Sequence, residues 1–360
     1  MAEALKNSYN EKFFKTLSAA LKTAYPKFGS GLFHKLIFDD EWETRELKQR
    51  MRHITLCLKE TLPNSYRKSL EILLQTAPEF SGFEPMFFPD FVEVYGMDDW
   101  EISIAALEEF TKYSSSEFAV RPFILKDSAK MMKQMQKWTS HDNHHVRRLS
   151  SEGCRPRLPW AMALPEFKKK PGPVLAVLDK LKNDSHEYVR RSVANNINDI
   201  SKDNPELIFN VVKKWHGQNR KTDWIAKHGL RTLLKNGDKK ALLMFGFAAT
   251  PAVVAGKLKT NKRSIKIGEH LGFSFELLVK SAKRQKIRLE YAIYYLKANG
   301  SLSKKVFKIS ENEYEKGNKT FTVRRSFKNM TTRKHYPGCH KLTIIVNGNE
   351  TQAVTFTLKS

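Results

Sequence analysis

Two carboxylates in the middle of this 360-residue chain follow closely behind doubled arginines. The carboxylates are Glu152 and Asp199, and the arginines stand in two matching segments, Val146-Arg147-Arg148 and Val189-Arg190-Arg191. The segments lie 43 residues apart, and Asn195 takes the position of Glu152 in the second copy, one helical turn before Asp199. On neighbouring helices the two carboxylates would therefore share one face. Such a pair could stabilise a developing positive charge and hold a water molecule, while the arginines could bind phosphates.

The same residues have a plainer interpretation, in which each carboxylate only pairs with the arginines around it. Structural ion pairs are common, so the residues alone favour this interpretation. Against it, a carboxylate repels phosphate and is an unexpected residue in a groove that only binds a polyanion. The candidate phosphate contacts in this part of the chain are Arg147, Arg148, Arg190 and Arg191.

Two further side chains are candidates for the same site. Trp160 follows a constrained Leu158-Pro159 turn and could present its ring to the groove, although a packed core position is the usual place of a tryptophan. Glu117 stands one repeat earlier, in the segment S-S-S-E-F-A-V-R-P, and could be a third carboxylate. Its alternative role is to cap the amino terminus of a helix behind Ser114–Ser116.

The elements that would position these residues are helical repeats. A sequence period in the low forties is typical of stacked helical pairs of the HEAT or armadillo type. Aspartates recur at a similar spacing and could cap successive helices, at Asp99, Asp142, Asp184 and Asp223. Helical spacing of apolar residues also marks a less regular amino-terminal part, over residues 3–22 and 41–62. We therefore predict a mainly α fold, with a HEAT-like α-solenoid over residues 1–256.

The pattern changes from helical to alternating near residues 257–262. Alternating runs predict short strands at residues 264–268, 274–280, 287–296, 306–310, 320–327, 341–347 and 352–358. Seven strands in about one hundred residues are typical of a small all-β immunoglobulin-like sandwich, which we place at residues 262–360. The buried Trp and the Cys pair of many such domains are missing, because every Trp precedes Lys257 and Cys339 is alone. His340 could replace the tyrosine of a tyrosine corner.

The net charge points to a polyanionic partner. The chain has 63 Lys and Arg against 38 Asp and Glu, a formal net charge of +25. Residues 261–360 alone contain 21 Lys and Arg, 7 Glu and no Asp, so more than half of the net charge lies in the predicted sandwich. A basic surface of this kind favours nucleic acid over a merely solvated face. The candidate contacts in this domain are Lys283, Arg284, Arg324 and Arg325.

Several other classes of protein are disfavoured by the sequence. The first ten residues lack the pattern of a signal peptide, and no run of apolar residues is long enough for a membrane span. Three distant cysteines suit free thiols in a reducing compartment, so we expect a cytoplasmic protein. The histidines at 141, 144 and 145 lack partners at zinc spacing, and no glycine-rich phosphate loop occurs. We expect no metal, no cofactor and no membrane partner, and a monomer.

The doubled motif and two longer segments resemble a known family. The segments H-H-V-R-R-L-S-S-E-G and V-R-R-S-V-A-N-N-I-N-D-I are similar to those of the HEAT-like DNA alkylation repair glycosylases, the AlkC and AlkD superfamily. The AlkC type is indicated by R-E-L-K-Q-R-M-R-H-I-T at residues 45–55, by S-E-G-C-R-P-R-L-P-W at residues 151–160, and by the carboxy-terminal immunoglobulin-like domain.

The resemblance implies a monofunctional DNA N-glycosylase. Its expected substrate is double-stranded DNA that contains cationic N-alkylated bases, 3-methyladenine or 3-methylcytosine, excised without flipping the base. A base methylated at N3 is already a good leaving group, so the enzyme must stabilise the oxocarbenium-like sugar and hold a water. With the resemblance, the catalytic interpretation of Glu152, Asp199 and Trp160 outweighs the structural one, and Glu117 is a possible third carboxylate.

Two other functions are compatible with parts of the sequence. A non-catalytic HEAT-repeat scaffold for DNA binding or repair would use the same basic groove, but it would not need carboxylates there. A HEAT-type adaptor for acidic proteins would use the charge differently, and arginine pairs at the repeat spacing count against it.

Overall fold

The computed structural model describes residues 5–330 and 333–360 and divides the chain into two compact units, between Gly229 and Leu230. The first unit is helical. Its α-helices are α1 (Glu11–Ala24), α2 (Ser30–Ile37), α3 (Leu47–Thr61), α4 (Tyr66–Thr76), α5 (Phe87–Tyr95), α6 (Trp100–Phe110), α7 (Val120–Lys126), α8 (Ser128–Trp138), α9 (His144–Glu152), α10 (Pro165–Lys169), α11 (Gly172–Leu181), α12 (Glu187–Ile200), α13 (Pro205–Trp215) and α14 (Arg220–Gly229). Within the described ranges, none of the helices is both long enough and apolar enough to cross a membrane.

The sequence repeat corresponds to two helices that pack side by side, α9 and α12. Val146 and Val189, the first residues of the two matching segments, are both fully buried. Between the helices, the Ser192 hydroxyl donates to the Ser151 hydroxyl at 2.9 Å, and the Asn196 side chain donates to the Ser151 carbonyl at 2.9 Å. The same repeat spacing therefore brings matching faces of consecutive helical pairs together, as predicted.

The prediction that four aspartates cap helices is mostly wrong. Asp99 is the N-cap residue of α6, but its side chain makes no capping hydrogen bond. Asn143, rather than Asp142, caps α9 through its side chain, and Asp223 lies inside α14. The carboxylate of Asp184 accepts from the backbone N–H of residue 186 and from a guanidinium, so it stabilises the turn before α12 rather than the helix itself.

The second unit contains two short helices and two sheets. The elements are α15 (Arg231–Lys235), α16 (Lys239–Met244), β1 (Val253–Ala255), β2 (Lys259–Thr260), β3 (Ser264–Lys266), β4 (His270–Val279), β5 (Gln285–Leu296), β6 (Leu302–Tyr314), β7 (Gly317–Ser326), β8 (Gly338–Val346) and β9 (Asn349–Lys359). In one sheet β4 pairs with β1, β2 and β7, and in the other the order is β3-β9-β8-β5-β6. All pairs are antiparallel except β3 with β9.

The seven predicted strands are present, close to their expected positions, and the mainly α fold with a carboxy-terminal β domain is confirmed. Side chains that alternate along β4, β5 and β8 form one apolar core, which includes Phe273, Phe275, Ile293 and Ile344. Strand structure begins earlier than predicted, at Val253 instead of after residue 262. The missed strands β1 and β2 have three and two residues, which is too short to show alternation in a sequence.

The helices α15 and α16 group with the sheets because their connection contacts the β8–β9 turn. Gly237 and Gly348 both have a positive φ, 74° and 81°, and a Cβ on Gly348 would lie 2.6 Å from the Gly237 Cα. Beside this contact, the side chain of Asn347 donates to the Ala248 carbonyl and accepts from the Arg288 N–H, both at 2.8 Å. The turn therefore anchors the segment that precedes the strands.

His340 hydrogen-bonds backbone in the way suggested for a tyrosine corner. One ring nitrogen, Nδ1, accepts from the Leu296 N–H at 3.3 Å, so Nε2 carries the proton and donates to the Tyr336 carbonyl at 3.1 Å. Burial lowers the pKa of His340, which keeps this neutral tautomer in place.

The glycine contact gives a stability prediction. Gly348→Ala should lower the thermal midpoint more than Gly268→Ala, measured by circular dichroism. Both glycines have a positive φ, where a side chain costs about 1–2 kcal/mol, but a Cβ on Gly268 meets no atom within 4 Å. Equal midpoints for the two variants would show that the close approach of Gly237 does not contribute to stability.

Candidate active site

Six charged side chains of the first unit form a chain of alternating sign. Their order is Glu117, Arg148, Glu152, Arg155, Asp199 and Lys202. Glu152 Oε1 lies 2.7 Å from Arg155 Nη1 and 3.4 Å from Arg148 Nη2. Arg155 Nε lies 2.9 Å from Asp199 Oδ2, so one guanidinium joins the two predicted carboxylates across the repeat. The structure therefore brings Glu152 and Asp199 together, as their spacing suggested.

The central members of this chain are buried and paired with one another. Glu152 and Asp199 expose 5% and 2% of their surface, and Arg155 exposes 7%. Burial alone would raise the pKa of Glu152, but the positive charges of Arg148 and Arg155 outweigh it, so the pKa lies below its usual value. The same carboxylates raise the pKa of Arg155 against the effect of its burial.

Arg155 was missed by the sequence analysis as a member of the site. Glu152 is the last residue of α9, and Arg155 follows three residues later, in the turn that leaves the helix. The interpretation of the carboxylates as ion-pair partners named Arg147, Arg148, Arg190 and Arg191. Only Arg148 among them pairs with either carboxylate in the described contacts, because Arg155 occupies the position between them. The spacing of three residues between Glu152 and Arg155 was the signal in the sequence that could have identified this ion pair.

Glu117 lies at the other end of the chain, next to α7. It forms an ion pair with Arg148 and accepts a hydrogen bond from the Ser115 hydroxyl at 2.8 Å. The N-cap residue of α7 is Ala119, so the alternative that Glu117 caps this helix is wrong. Glu117 keeps 15% of its side chain exposed and is the most accessible of the three carboxylates.

Trp160 is an exposed residue in a strained backbone conformation. It exposes 68% of its surface and has a φ of 62°, which is rare for a residue with a bulky side chain. The alternative of a packed core tryptophan is therefore wrong. Its carbonyl accepts from Lys48 Nζ at 2.7 Å, and its ring borders a cavity of about 200 Å³ whose wall includes Glu117 and Phe118. The structure thus places Trp160 and Glu117 at the same cavity.

A second exposed aromatic residue at the site, Tyr188, was not predicted. Tyr188 exposes 42% of its surface, and the guanidinium carbon of Arg148 lies 4.9 Å from the centre of its ring. The ring also meets that of His145 edge to face, at 5.7 Å between centroids. Tyr188 is the second residue of α12, one repeat after His145, so the repeat offset was the signal that could have identified it.

The four arginines of the doubled motif have different environments. Arg147 binds Asp184 through two nitrogens, at 2.6 and 3.1 Å, and Arg148 belongs to the ionic chain. Arg190 donates to the carbonyls of residues 184 and 185. Arg191 exposes 65% of its side chain and forms an ion pair with Glu187, which is also exposed. The predicted DNA contacts of all four stay predictions, and Arg191 is the most accessible.

The basic candidates of the second unit also differ in exposure. Arg324 is exposed and lines a cleft of about 640 Å³ together with Lys259 and Lys262. The guanidinium of Arg325 lies 4.0 Å above the ring of Phe307 instead, because neighbouring residues of β7 point to opposite faces. The remaining two candidates, Lys283 and Arg284, are exposed. Arg284 forms an ion pair with Glu315. Their DNA contacts stay predictions.

The part of the chain that the structure describes contains no group of three or more His, Cys, Asp or Glu side chains able to hold a metal ion. Of the histidines noted in the sequence, His144 lies against His145, at 4.2 Å between ring centroids, and also stacks on His186 at 4.0 Å.

Comparison with known proteins assigns the chain to a family. Residues 98–233 match a family model described as a DNA alkylation repair enzyme, and residues 254–360 match one for the carboxy-terminal Ig-like domain of the uncharacterised protein YhaZ. The chain is 48% identical over 353 residues to the uncharacterized protein YhaZ of Bacillus subtilis (strain 168), covering 98% of each sequence. The chain belongs to the DNA alkylation repair enzyme family.

A solved structure in this family supports the fold over its full length. The alkylpurine DNA glycosylase AlkC of Pseudomonas fluorescens, bound to DNA containing an abasic site analog, matches with a TM-score of 0.95 and 38% identity. The match covers 99% of this chain and 100% of that one. The resemblance to AlkC-type repair proteins is thereby confirmed, as is the predicted fold class of a HEAT-like solenoid followed by an immunoglobulin-like domain.

The ionic chain gives a prediction about stability and pH. Glu152→Gln should lower the free energy of unfolding by about 3–5 kcal/mol at pH 7, because two buried arginines lose a carboxylate partner and keep one each, Glu117 for Arg148 and Asp199 for Arg155. The folded pKa of Glu152 lies below the ordinary value of 4.5, so its stabilising effect is complete above 4.5. As the pH falls through the lower folded pKa, the wild type loses this advantage and the two proteins become alike.

Urea unfolding at a series of pH values between 7 and 3 measures this difference. Glu101→Gln is the control, since Glu101 is exposed in α6 and the substitution should change stability little at any pH. A deficit of Glu152→Gln that stays constant down to pH 3 would contradict the argument.

Proposed function

We propose that this protein is a monofunctional DNA glycosylase that excises cationic N-alkylated bases, 3-methyladenine and 3-methylcytosine, from double-stranded DNA. The observation that carries the proposal is the group of three carboxylates held by two arginines beside an exposed tryptophan. Membership in the DNA alkylation repair enzyme family supports the same class of chemistry. We place its action in the bacterial cytoplasm, as a monomer without a cofactor.

The proposed reaction breaks the bond between the sugar C1′ and the alkylated base. The bond electrons leave with the base, whose positive charge is thereby neutralised, and the sugar acquires oxocarbenium character. Water then adds to C1′ and releases a proton. A base that leaves as a neutral molecule needs no general acid, so the task of the enzyme is to stabilise the cationic sugar and hold the water. Glu117, Glu152 and Asp199 supply negative charge for both tasks.

The balance of charge in the ionic chain answers the objection that carboxylates repel DNA. Three carboxylates alternate with Arg148, Arg155 and Lys202, so the chain as a whole is neutral. A neutral chain repels phosphates little, yet its fixed dipoles remain oriented and can favour a cation at the carboxylate edge. The arginines also hold the carboxylates in place, which avoids reorganisation during the reaction.

Trp160 is proposed to contact the lesion itself. An aromatic face attracts a cation, with the strongest attraction for Trp, and a methylated base carries positive charge until it leaves. The exposed ring could therefore meet the base or its sugar within the duplex, without the base being flipped. The strained φ of 62° is consistent with a side chain held outward for a function.

Exposed cations are proposed to hold the DNA backbone. In the first unit the exposed cation is Arg191, with the half-buried Arg190 as a second contact, while Arg147 and Arg148 mainly position their neighbours. In the second unit the cleft of Arg324, Lys259 and Lys262 offers several cations together. Lys283 and Arg284 are further exposed cations, in the loop between β4 and β5. Arg325 packs on Phe307 and so stabilises β7, which carries Arg324. The net charge of +25 fits binding dominated by phosphates.

The catalytic assignment predicts a separation of chemistry from binding. Glu152→Gln and Asp199→Asn should each reduce the single-turnover excision rate by about 10²–10³-fold. Their affinity for duplex DNA should hold or rise, because each substitution removes a negative charge. The measurement is release of methylated bases from alkylated duplex DNA, with fluorescence anisotropy for binding.

Asp90→Asn is the matched control for this experiment. Asp90 is buried and binds Arg52 through both oxygens, at 2.8 and 2.9 Å, but it lies outside the ionic chain. The control should lose stability and keep its excision rate. A scaffold without chemistry would give no base release from the wild type, and unchanged rates in both site variants would remove the catalytic assignment.

The accessible arginine gives a prediction about salt. Arg191→Ala should weaken DNA binding and reduce the slope of log K against log salt by about one unit, as expected for one lost phosphate contact. The lesion preference should not change. Arg67→Ala is the control, because Arg67 is similarly exposed, at 67% against 65%, and also pairs with a carboxylate, that of Asp99. An unchanged slope for Arg191→Ala would place Arg191 outside the DNA-binding face.

A further inference from the structure

The segment that carries Trp160 lies outside the helices. It runs from Gly153, after the end of α9, to Leu164, before the start of α10. Within the segment, the Leu164 N–H donates a hydrogen bond to the Pro156 carbonyl at 3.2 Å. A loop of this kind does not by itself keep a large ring exposed with a positive φ, which costs energy. Contacts from neighbouring elements must supply the support.

One side chain of α7 contacts this segment on both sides of Trp160. Arg121 Nη1 donates to the carbonyls of Gly153 and Arg155, both at 2.9 Å, and Nε donates to the Met162 carbonyl at 2.8 Å. The first two carbonyls precede Trp160 and the third follows it. The guanidinium therefore closes the segment into a loop whose tip holds Trp160.

The close approach of α7 to the segment is fixed independently at Gly153. A Cβ on this residue would lie 2.5 Å from Val120 Cγ2 and 3.1 Å from Met135 Cε, so only glycine permits the observed spacing. Val120 is the neighbour of Arg121 on α7. The start of the segment therefore packs against the same turn of α7 that carries Arg121.

Arg121 is buried in a way that costs stability. It has no exposed surface, and among the described residues it forms no ion pair and its Nη2 has no hydrogen-bond partner. Burial lowers its pKa to about 10, so the group remains charged at neutral pH. A buried charge without an ion-pair partner is unfavourable, because it loses its hydration without a compensating Coulomb attraction. Only a planar fork of donors can reach carbonyls on two sides of a loop.

We propose that Arg121 is a positioning residue for base excision, which acts through Trp160 by holding the segment 153–164 on both sides of the tryptophan. The inference rests on the proposed glycosylase function. Arg121 does not touch the DNA, because it is enclosed by protein. Its guanidinium sets where the ring of Trp160 stands relative to Glu117 and the ionic chain. Misplacement of such a group by about 1 Å can reduce a rate on the order of 10²-fold.

The test uses two substitutions in the full-length protein. Arg121→Lys keeps the positive charge but loses the fork, and Arg121→Met removes both. We expect each to reduce single-turnover excision from alkylated duplex DNA on the order of 10²-fold while the Kd for undamaged duplex stays the same. A wild-type excision rate in Arg121→Lys would assign the effect to charge alone and overturn the proposal.

Arg50→Lys is the matched control. Arg50 is also buried, with 3% exposed, and also donates to two backbone carbonyls, those of Lys6 and Arg45. It should lose a similar amount of stability, measured as a shift of the thermal midpoint, and retain its excision rate. If Arg50→Lys lost excision equally, the effect would be a general response to a weakened core, and the positioning role would be overturned.

A double-mutant cycle with Trp160→Ala tests whether Arg121 acts through the tryptophan. If it does, Arg121→Lys should reduce excision no further once Trp160 has been replaced. Additive losses, or a wild-type rate in Trp160→Ala alone, would overturn the proposal. Failure of both Arg121 variants to fold would assign the residue to core stability and would overturn it as well.

Fluorine NMR separates this proposal from the proposed function. In protein labelled with 5-fluorotryptophan, the resonance missing from Trp160→Phe identifies Trp160. That resonance should shift or broaden in Arg121→Lys and stay in place in Arg50→Lys, whether or not the protein excises bases. A wild type that releases no methylated base would contradict the glycosylase proposal, whereas an unmoved Trp160 resonance would contradict the positioning role alone.

Discussion

The bridge from Glu152 through Arg155 to Asp199 is the interaction on which the site depends. It requires that the end of α9, the turn after it and the last part of α12 meet within hydrogen-bond distance. The hydrogen bonds of Ser151 with Ser192 and Asn196 keep the two helices in this register. Because all three charged groups of the bridge are buried, removing any one of them takes an ion-pair partner from a buried charge. The same contacts therefore stabilise the fold and determine the electrostatics of the site.

Around that bridge, the accessible part of the site is small. Its members with exposed surface include Lys202 at the end of the ionic chain, Glu117, Trp160 and Tyr188, and the last three are each supported from behind by a buried or half-buried cation. Arg148 contacts both Glu117 and Tyr188, and Arg121 holds the backbone on either side of Trp160. Buried arginines thus position the groups that solvent and DNA can reach, while their own charges are taken up by carboxylates or carbonyls.

Much of this arrangement could be predicted from the repeat. A period of 43 residues places α9 beside α12, and the offset of one turn brings Glu152 and Asp199 close. The sequence does not show the path of a turn, so Arg155 and Arg121 could not be assigned to their partners. Nor does it show which neighbours each side chain of a helix contacts. Arg147 and Arg148 are adjacent in sequence, but their side chains leave the helix about 100° apart. One therefore binds Asp184, and the other binds the carboxylates of the site.

The contact between Gly237 and Gly348 has a consequence for the order in which the chain folds. The helices of residues 1–229 find their packing partners nearby in sequence, so they can form while the rest is being synthesised. The segment 230–250 cannot, since the Asn347 side chain that anchors it lies 99 positions beyond Ala248. Until the β8–β9 turn leaves the ribosome, α15 and α16 remain without this anchor. A protein truncated before that turn would contain α15 and α16 without the contacts that anchor them.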